Sequence, residues 1–292
     1  VAVVLLTLSG CGGVSSETGG VPRVFVSVPP QAWLVEQLAG DYFTVDTLLP
    51  KGRDPHTYEP EPRQVMALGS AALYFRIGVP MEDRVLGKVA GSGAAVRIVD
   101  TIAGIDTISS AEACHDDDHD HGHDHGRVAI DPHVWLGPAQ LRGIAAAMTR
   151  AFSESDPAHA GEYSRRLDDF LARLDEVDAA ARERLAPHAG RAFFVYHPAF
   201  GYFAAAYGLE QVAVEMGGRE PTPKDLEQLI AQAREAGIRV IFVQPQFPPA
   251  SAETVARAIG GHVAPLDDMA PNVLENIAQI AEIVASALEN GP

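Results

Sequence analysis

Residues 156–187 read Asp-Pro-Ala-His-Ala-Gly-Glu-Tyr-Ser-Arg-Arg-Leu-Asp-Asp-Phe-Leu-Ala-Arg-Leu-Asp-Glu-Val-Asp-Ala-Ala-Ala-Arg-Glu-Arg-Leu-Ala-Pro. Asp156-Pro157 has the form of a helix start, with an aspartate cap and proline at the first helical position. Pro187 ends what begins there. Between them Tyr163, Leu167, Phe170, Leu174, Val177 and Ala181 recur at alternating spacings of four and three, which makes one apolar stripe along a helix. About thirty residues at ~1.5 Å each give a rod of roughly 45 Å. That exceeds the usual globular range, and the segment falls mid-chain. The pattern predicts a strut between two domains.

On both sides of the strut, strand-like and helix-like segments alternate. Before it, strands are expected at 23–28, 44–49, 72–77 and 96–99, with helices at 31–39, 61–68, 81–89 and 138–152. After it, strands at 192–196, 211–216, 238–244 and 262–266 alternate with helices at 199–207, 224–236, 251–259 and 271–288. This alternation predicts an α/β fold of two lobes, each a mainly parallel four-stranded sheet flanked by helices, joined by one long rigid helix. The domain plan is a signal segment and tether at 1–21, an N-terminal lobe at 22–155, the connecting helix at 156–187 and a C-terminal lobe at 188–292. The two halves share no residue-level repeat, so their symmetry is architectural.

Composition narrows the class. The chain has 292 residues, 47% of them hydrophobic, which is ample for a core. A net charge of −17 argues against nucleic acid and against a polybasic membrane contact, and it suits cationic ligands. No 18-residue apolar run is present, so no spanning helix is expected. Residues 1–8 are apolar and lead into Leu8-Ser9-Gly10-Cys11, a lipobox-like motif. Cys11 is the expected lipidation site, followed by a Gly/Ser-rich tether at 12–20. Only Cys114 then remains in a mature chain. That excludes an internal disulfide, and it excludes a zinc site built from four cysteines or from two cysteines and two histidines.

Cys114 opens the stretch Cys-His-Asp-Asp-Asp-His-Asp-His-Gly-His-Asp-His, part of a His/Asp-rich loop at 114–126. His115, His119, His121, His123 and His125 alternate with aspartates, and these are ligands of divalent transition metals, zinc above all. Ligands on a solvated loop are not preorganised, so binding there must offset the entropy of ordering the loop. An accessory, low-affinity site is expected. A tight site needs ligands at strand ends. His56, His133, His197 and Asp267 occupy such places, and Pro55, Pro132 and Pro198 each restrict the backbone beside a histidine. Three neutral imidazoles and one carboxylate make a good zinc shell.

Five stretches together resemble the ZnuA-like zinc-binding members (cluster A-I, or cluster 9) of the substrate-binding proteins that serve bacterial metal ABC transporters. They are Asp54-Pro55-His56-Thr57-Tyr58-Glu59-Pro60, Asp131-Pro132-His133-Val134-Trp135-Leu136, Tyr196-His197-Pro198-Ala199-Phe200-Gly201-Tyr202-Phe203, Phe242-Val243-Gln244-Pro245-Gln246-Phe247 and Leu266-Asp267-Asp268-Met269. The resemblance spans 22–290. It implies that His56, His133 and His197 are the imidazole ligands and that Asp267 is the fourth. In other members water, or a glutamate beside the first histidine, takes the fourth position; here Thr57 stands directly after His56, which leaves Glu59 as the nearest glutamate and the alternative fourth ligand. Manganese-preferring relatives carry a glutamate where His197 stands, so Zn2+ is favoured over Mn2+. The resemblance implies a monomeric, extracytoplasmic zinc-capturing protein, lipid-anchored to a bilayer, that delivers Zn2+ to the permease subunit of an ABC importer. A lipid-anchored adhesin or metal buffer is the alternative, and a zinc hydrolase using Glu59 as base is a remote one. With unperturbed histidines, metal affinity is expected to fall through a pH of about 6.5.

Overall fold

A computed structural model of the chain describes residues 20–91, 94–109, 130–215 and 219–289. Cys11 and the loop histidines 115, 119, 121, 123 and 125 lie outside these residues.

The first sheet contains β1 (Arg23–Val26), β2 (Thr44–Thr47), β3 (Leu73–Arg76) and β4 (Arg97–Asp100) in the order β2-β1-β3-β4. The second contains β5 (Ala192–Val195), β6 (Glu210–Ala213), β7 (Val240–Val243) and β8 (His262–Pro265) in the order β6-β5-β7-β8. Every pairing is parallel. The two lobes therefore share one strand order without sharing sequence. Central strands read as unbroken apolar runs, such as Phe193-Phe194-Val195 and Ile241-Phe242-Val243, because both faces of a parallel sheet are covered.

Helices α1 (Pro29–Ala39), α2 (Pro62–Gly69), α3 (Met81–Ala90) and α4 (Pro138–Ser155) serve the first lobe. Helices α6 (Gly201–Tyr207), α7 (Pro223–Glu235), α8 (Ala250–Ala258) and α9 (Val273–Glu289) follow the strut α5 (Ala160–Leu185). Several begin as the sequence dictates, with proline in the first turn of α1, α2, α4 and α7. At Gly40, φ is +55°, and a Cβ there would overlap the Arg166 guanidinium, so glycine both ends α1 and lets the strut approach it.

The strut has 26 helical residues, about 39 Å, with a short 3-10 turn at each end (Pro157–His159 and Ala186–His188). Its helix thus begins four residues after Asp156. That carboxylate holds the Tyr163 hydroxyl and the His159 Nδ1, each at 2.6 Å. Tyr163, Phe170, Leu174 and Ala181 are buried, and Leu167 and Val177 are half-buried against the same core. That core is continuous. It joins Val24 and Leu73 of the first sheet, Phe170 and Leu174 of the strut, Phe193 of the second sheet, and Ile277 and Val284 of α9. A second cluster lies under α7 and α8. Among the described residues, no helix is long and apolar enough to cross a membrane.

Candidate metal centre

The site forms where loops at the carboxyl ends of the strands of the two lobes meet. His56 lies on the long connection from β2 to α2. Asp54 Oδ1 accepts the His56 N–H at 2.9 Å, and Asp54 Oδ2 accepts the Thr57 hydroxyl at 3.0 Å. His133 precedes the 3-10 turn Val134–Leu136 that leads into α4, and Asp131 Oδ1 accepts its N–H, again at 2.9 Å. Each Asp-Pro-His tripeptide is thus an Asx turn. The aspartate fixes the histidine amide two residues on, and the proline fixes φ between them. His197 lies two residues beyond the end of β5 and is clasped through its backbone by the buried Gln244.

The three imidazoles converge. Ring centroids lie 4.8 Å apart for His56 and His197, 5.1 Å for His133 and His197, and 5.5 Å for His56 and His133. One nitrogen from each falls within 4.8 Å of the others, and among the described residues that group holds these three side chains alone. Two of the rings are held by carboxylates. His133 Nδ1 meets Asp131 Oδ1 at 2.7 Å, and His197 Nδ1 meets Glu215 Oε1 at 2.6 Å. With Glu215 in its charged form a carboxylate accepts at each Nδ1, so each Nδ1 carries the proton and each Nε2 presents a lone pair. Those two Nε2 atoms face each other at 3.2 Å. Two nitrogens bound to one tetrahedral zinc at about 2.0–2.1 Å lie roughly 3.3 Å apart, so the pair has the spacing of a zinc-site edge. Among the described residues, the Nε2 of His56 is buried without a hydrogen-bond partner. Opposed lone pairs and an unpartnered buried nitrogen are costly alone, and a shared cation relieves both.

Burial keeps two of these imidazoles neutral. Burial, reinforced by His133 and His197, lowers His56 to about 3, against a smaller upward pull from Asp54. Burial, then His133, lowers His197 to about 3. Glu215 is pushed up to about 7, mainly by burial and then by Asp54.

The carboxylates anticipated for the fourth position lie outside the histidine group. Asp267 is half-buried, and its Oδ1 accepts the Met269 N–H at 2.8 Å. Glu59 is exposed and pairs with Arg84 at 3.0 Å. The neighbour of Asp267 has the more telling environment. Asp268 is buried, its carbonyl accepts the Trp135 indole N–H at 2.7 Å, and the Trp135 ring sits 5.4 Å from that of His133. Burial raises Asp268 to about 6, with His133 pulling the other way. A cavity of about 580 Å³ opens beside His56, lined by Asp54, Thr57, Tyr58, Glu59 and Gln246 among others.

Two buried carboxylates near the histidines, Glu215 and Asp268, are not legible in the sequence. A strand extended to 216 hides Glu215 within it, whereas β6 ends at Ala213 and frees Glu215 to turn toward His197. The signal available was an acidic residue directly after the apolar Val212-Ala213-Val214. For Asp268, the choice between adjacent aspartates depends on which one the turn points inward. The histidines at 159, 188 and 262 lie elsewhere. His159 pairs with Asp156, His188 lies 3.9 Å from Glu289, and His262 opens β8.

A family model described as zinc-uptake complex component A, periplasmic, matches residues 24–288. The chain belongs to this ZnuA family. It is 30% identical to the high-affinity zinc uptake system protein ZnuA of Bacillus subtilis (strain 168), with 96% of this chain and 88% of that protein covered. It is 24% identical to the manganese-binding lipoprotein MntA of Halalkalibacterium halodurans, over 90% of this chain and 85% of that protein. A crystal structure of ZnuA superposes with a TM-score of 0.83 at 33% identity, covering 92% of this chain and all of the other. The periplasmic zinc-binding protein TroA of Treponema pallidum shares the fold at a TM-score of 0.78 and 23% identity, covering 92% of this chain and 99% of the other. As a ZnuA-family member the chain is an extracytoplasmic, metal-binding substrate-binding protein of the transport class, not an enzyme.

Proposed function

We propose that the protein captures Zn2+ outside the cytoplasmic membrane and delivers it to the permease of an ABC importer. The metal is cargo, held by His56, His133 and His197. The observation that carries this reading is the pair of Nε2 atoms 3.2 Å apart, each aimed by a buried carboxylate on its Nδ1. A nitrogen-rich shell favours zinc over manganese, which suits oxygen. Asp267, in the connection that follows β8, is the fourth ligand in this reading, with Glu59 as the alternative. The neighbouring Asp268 anchors that turn, its carbonyl accepting the indole N–H of Trp135, whose ring lies 5.4 Å from that of His133. Cys11 remains a lipid anchor in this scheme, and the histidines 115–125 an accessory zinc-gathering segment.

Competition of the protein against a chromophoric zinc chelator tests the assignment. One tight zinc is expected per chain, retained when residues 115–125 are deleted, while weaker binding disappears. His133→Ala and His197→Ala each abolish the tight site, and Asp267→Ala weakens it; full affinity in Asp267→Ala would hand the fourth position to Glu59 or water. Loss of the tight site on deleting 115–125 would place it in the loop and overturn the reading.

A further inference from the structure

The connection from β2 to α2 carries His56. It starts at Leu48, whose N–H extends the sheet onto the Val26 carbonyl at 2.9 Å, and ends at Glu61, the residue before α2. One side chain bridges its two ends. Gln64, in the first turn of α2, donates from Nε2 to the Leu48 carbonyl at 2.8 Å. Its Oε1 accepts the Tyr58 hydroxyl at 2.7 Å and the Glu61 N–H at 2.9 Å. A carbonyl can only accept and an N–H can only donate, so these partners fix which way the amide faces. The Tyr58 ring, two residues beyond His56, is buried in the main core. Glu59 also ties the connection to α3 through Arg84, but an exposed ion pair holds weakly.

The bridge matters because His56 is placed through its backbone. Among the described residues no carboxylate holds its ring as Asp131 holds His133 and Glu215 holds His197. Its amide rests on Asp54 Oδ1, and the Tyr58 N–H closes on the Asp54 carbonyl at 3.0 Å, so Asp54, His56 and Tyr58 form one unit. Apart from Gln246, the residues lining the 580 Å³ cavity belong to this same connection, so open solvent lies where the unit would swing. We propose that Gln64 is a positioning residue for His56: by joining Leu48 to Tyr58 it holds the His56 segment on the metal and sets the rate at which zinc leaves. This rests on the reading of His56 as a zinc ligand. Gln64 touches no metal itself. When the bridge parts, His56 moves away with its segment, while His133 and His197 stay held by their carboxylates.

The test uses the full chain loaded with one equivalent of zinc, and two variants. Tyr58→Phe keeps the ring in the core and removes the hydroxyl. Gln64→Glu keeps both acceptor contacts, and glutamate serves equally at this position of a helix cap, but the donor to Leu48 is lost. Zinc dissociation into excess chelator is followed by stopped flow, alongside amide exchange and chemical denaturation of the metal-free protein. Each variant is expected to speed dissociation about fivefold, the factor that one net hydrogen bond carries, and to quicken exchange in residues 52–58 of the zinc-loaded protein. His56→Ala is the control for the underlying reading. If it leaves zinc affinity unchanged, His56 is not a ligand and both statements fall. If His56→Ala weakens zinc while both variants keep the parental dissociation rate, the inference alone is overturned, and a lowered denaturation midpoint would then make Gln64 a fold-stabilising residue only. In the His56→Ala background the variants should add nothing; the same acceleration there would show that they do not act through His56 and would overturn the inference too.

Discussion

Two of the three histidines of the site divide two roles between their two nitrogens. In His133 and His197 the Nδ1 is committed to a buried carboxylate, and this choice of tautomer turns Nε2 toward the centre. His56 lacks a side-chain partner of this kind and is the least buried of the three. The same burial alters the expected pH dependence. An unperturbed imidazole would gain its proton near pH 6.5, but His56 and His197 at about 3 stay neutral well below that. The groups that do carry protons in the metal-free protein near neutrality are Glu215, at about 7, and Asp268, at about 6. A bound cation favours their charged forms, so binding expels those protons, and affinity falls as pH drops through about 7 and then about 6. Calorimetry at pH 6.5 in buffers of different ionisation enthalpy should show proton release on zinc binding, reduced in Glu215→Gln. Unchanged release in that variant would return the pH dependence to the imidazoles. Removing this carboxylate should also weaken zinc binding by about 10- to 100-fold, since the tautomer is no longer held.

The strut shows what an element adds to its residues. Its four-and-three spacing was legible because a helix that buries one stripe must repeat its apolar residues on that period. Its first turn was not legible. Asp156-Pro157 has the composition of an N-cap, yet the chain starts with a 3-10 turn while the Asp156 carboxylate serves Tyr163 and His159. Leu174 sits wholly buried in the core that α5 shares with α9. Leu174→Ala should cost about 2–5 kcal/mol, as a large-to-small change in a packed interior does. Chemical denaturation would check it; a loss below about 1 kcal/mol would mean that the strut relaxes into the cavity and is not packed as described.

Across the whole molecule, one apolar core runs from the first sheet through the strut to the second sheet and α9. Wide hinge opening would expose part of that core to water, at about 25 cal/mol for each Å² of apolar surface. Metal entry and exit therefore fall to loops. The connection carrying His56 is suited to move: it includes Gly52 at φ +76°, borders the 580 Å³ cavity, and its histidine ring lacks a carboxylate partner. Zinc should then slow hydrogen exchange chiefly in residues 52–60, with little change in the radius of gyration of protein lacking residues 115–125. Uniform protection across both lobes, or a marked compaction, would assign release to the lobes instead.

Fold class, the strut, the number of strands and the three histidines were all readable along the chain, because each rests on local signals: hydrophobic period, proline and glycine punctuation, and imidazoles beside prolines at strand ends. Glu215 and Asp268 could not be read in this way. A carboxylate supports a histidine, or a carbonyl holds an indole, only when segments far apart in sequence meet, as Glu215 does with His197 and Trp135 with Asp268. Adjacent aspartates are equivalent as letters and become distinct when one turn buries the second and leaves the first half-buried. The metal's chemical class was thus written in the residue types, whereas the orientation and proton affinity of its ligands depend on burial and on partners that folding brings together.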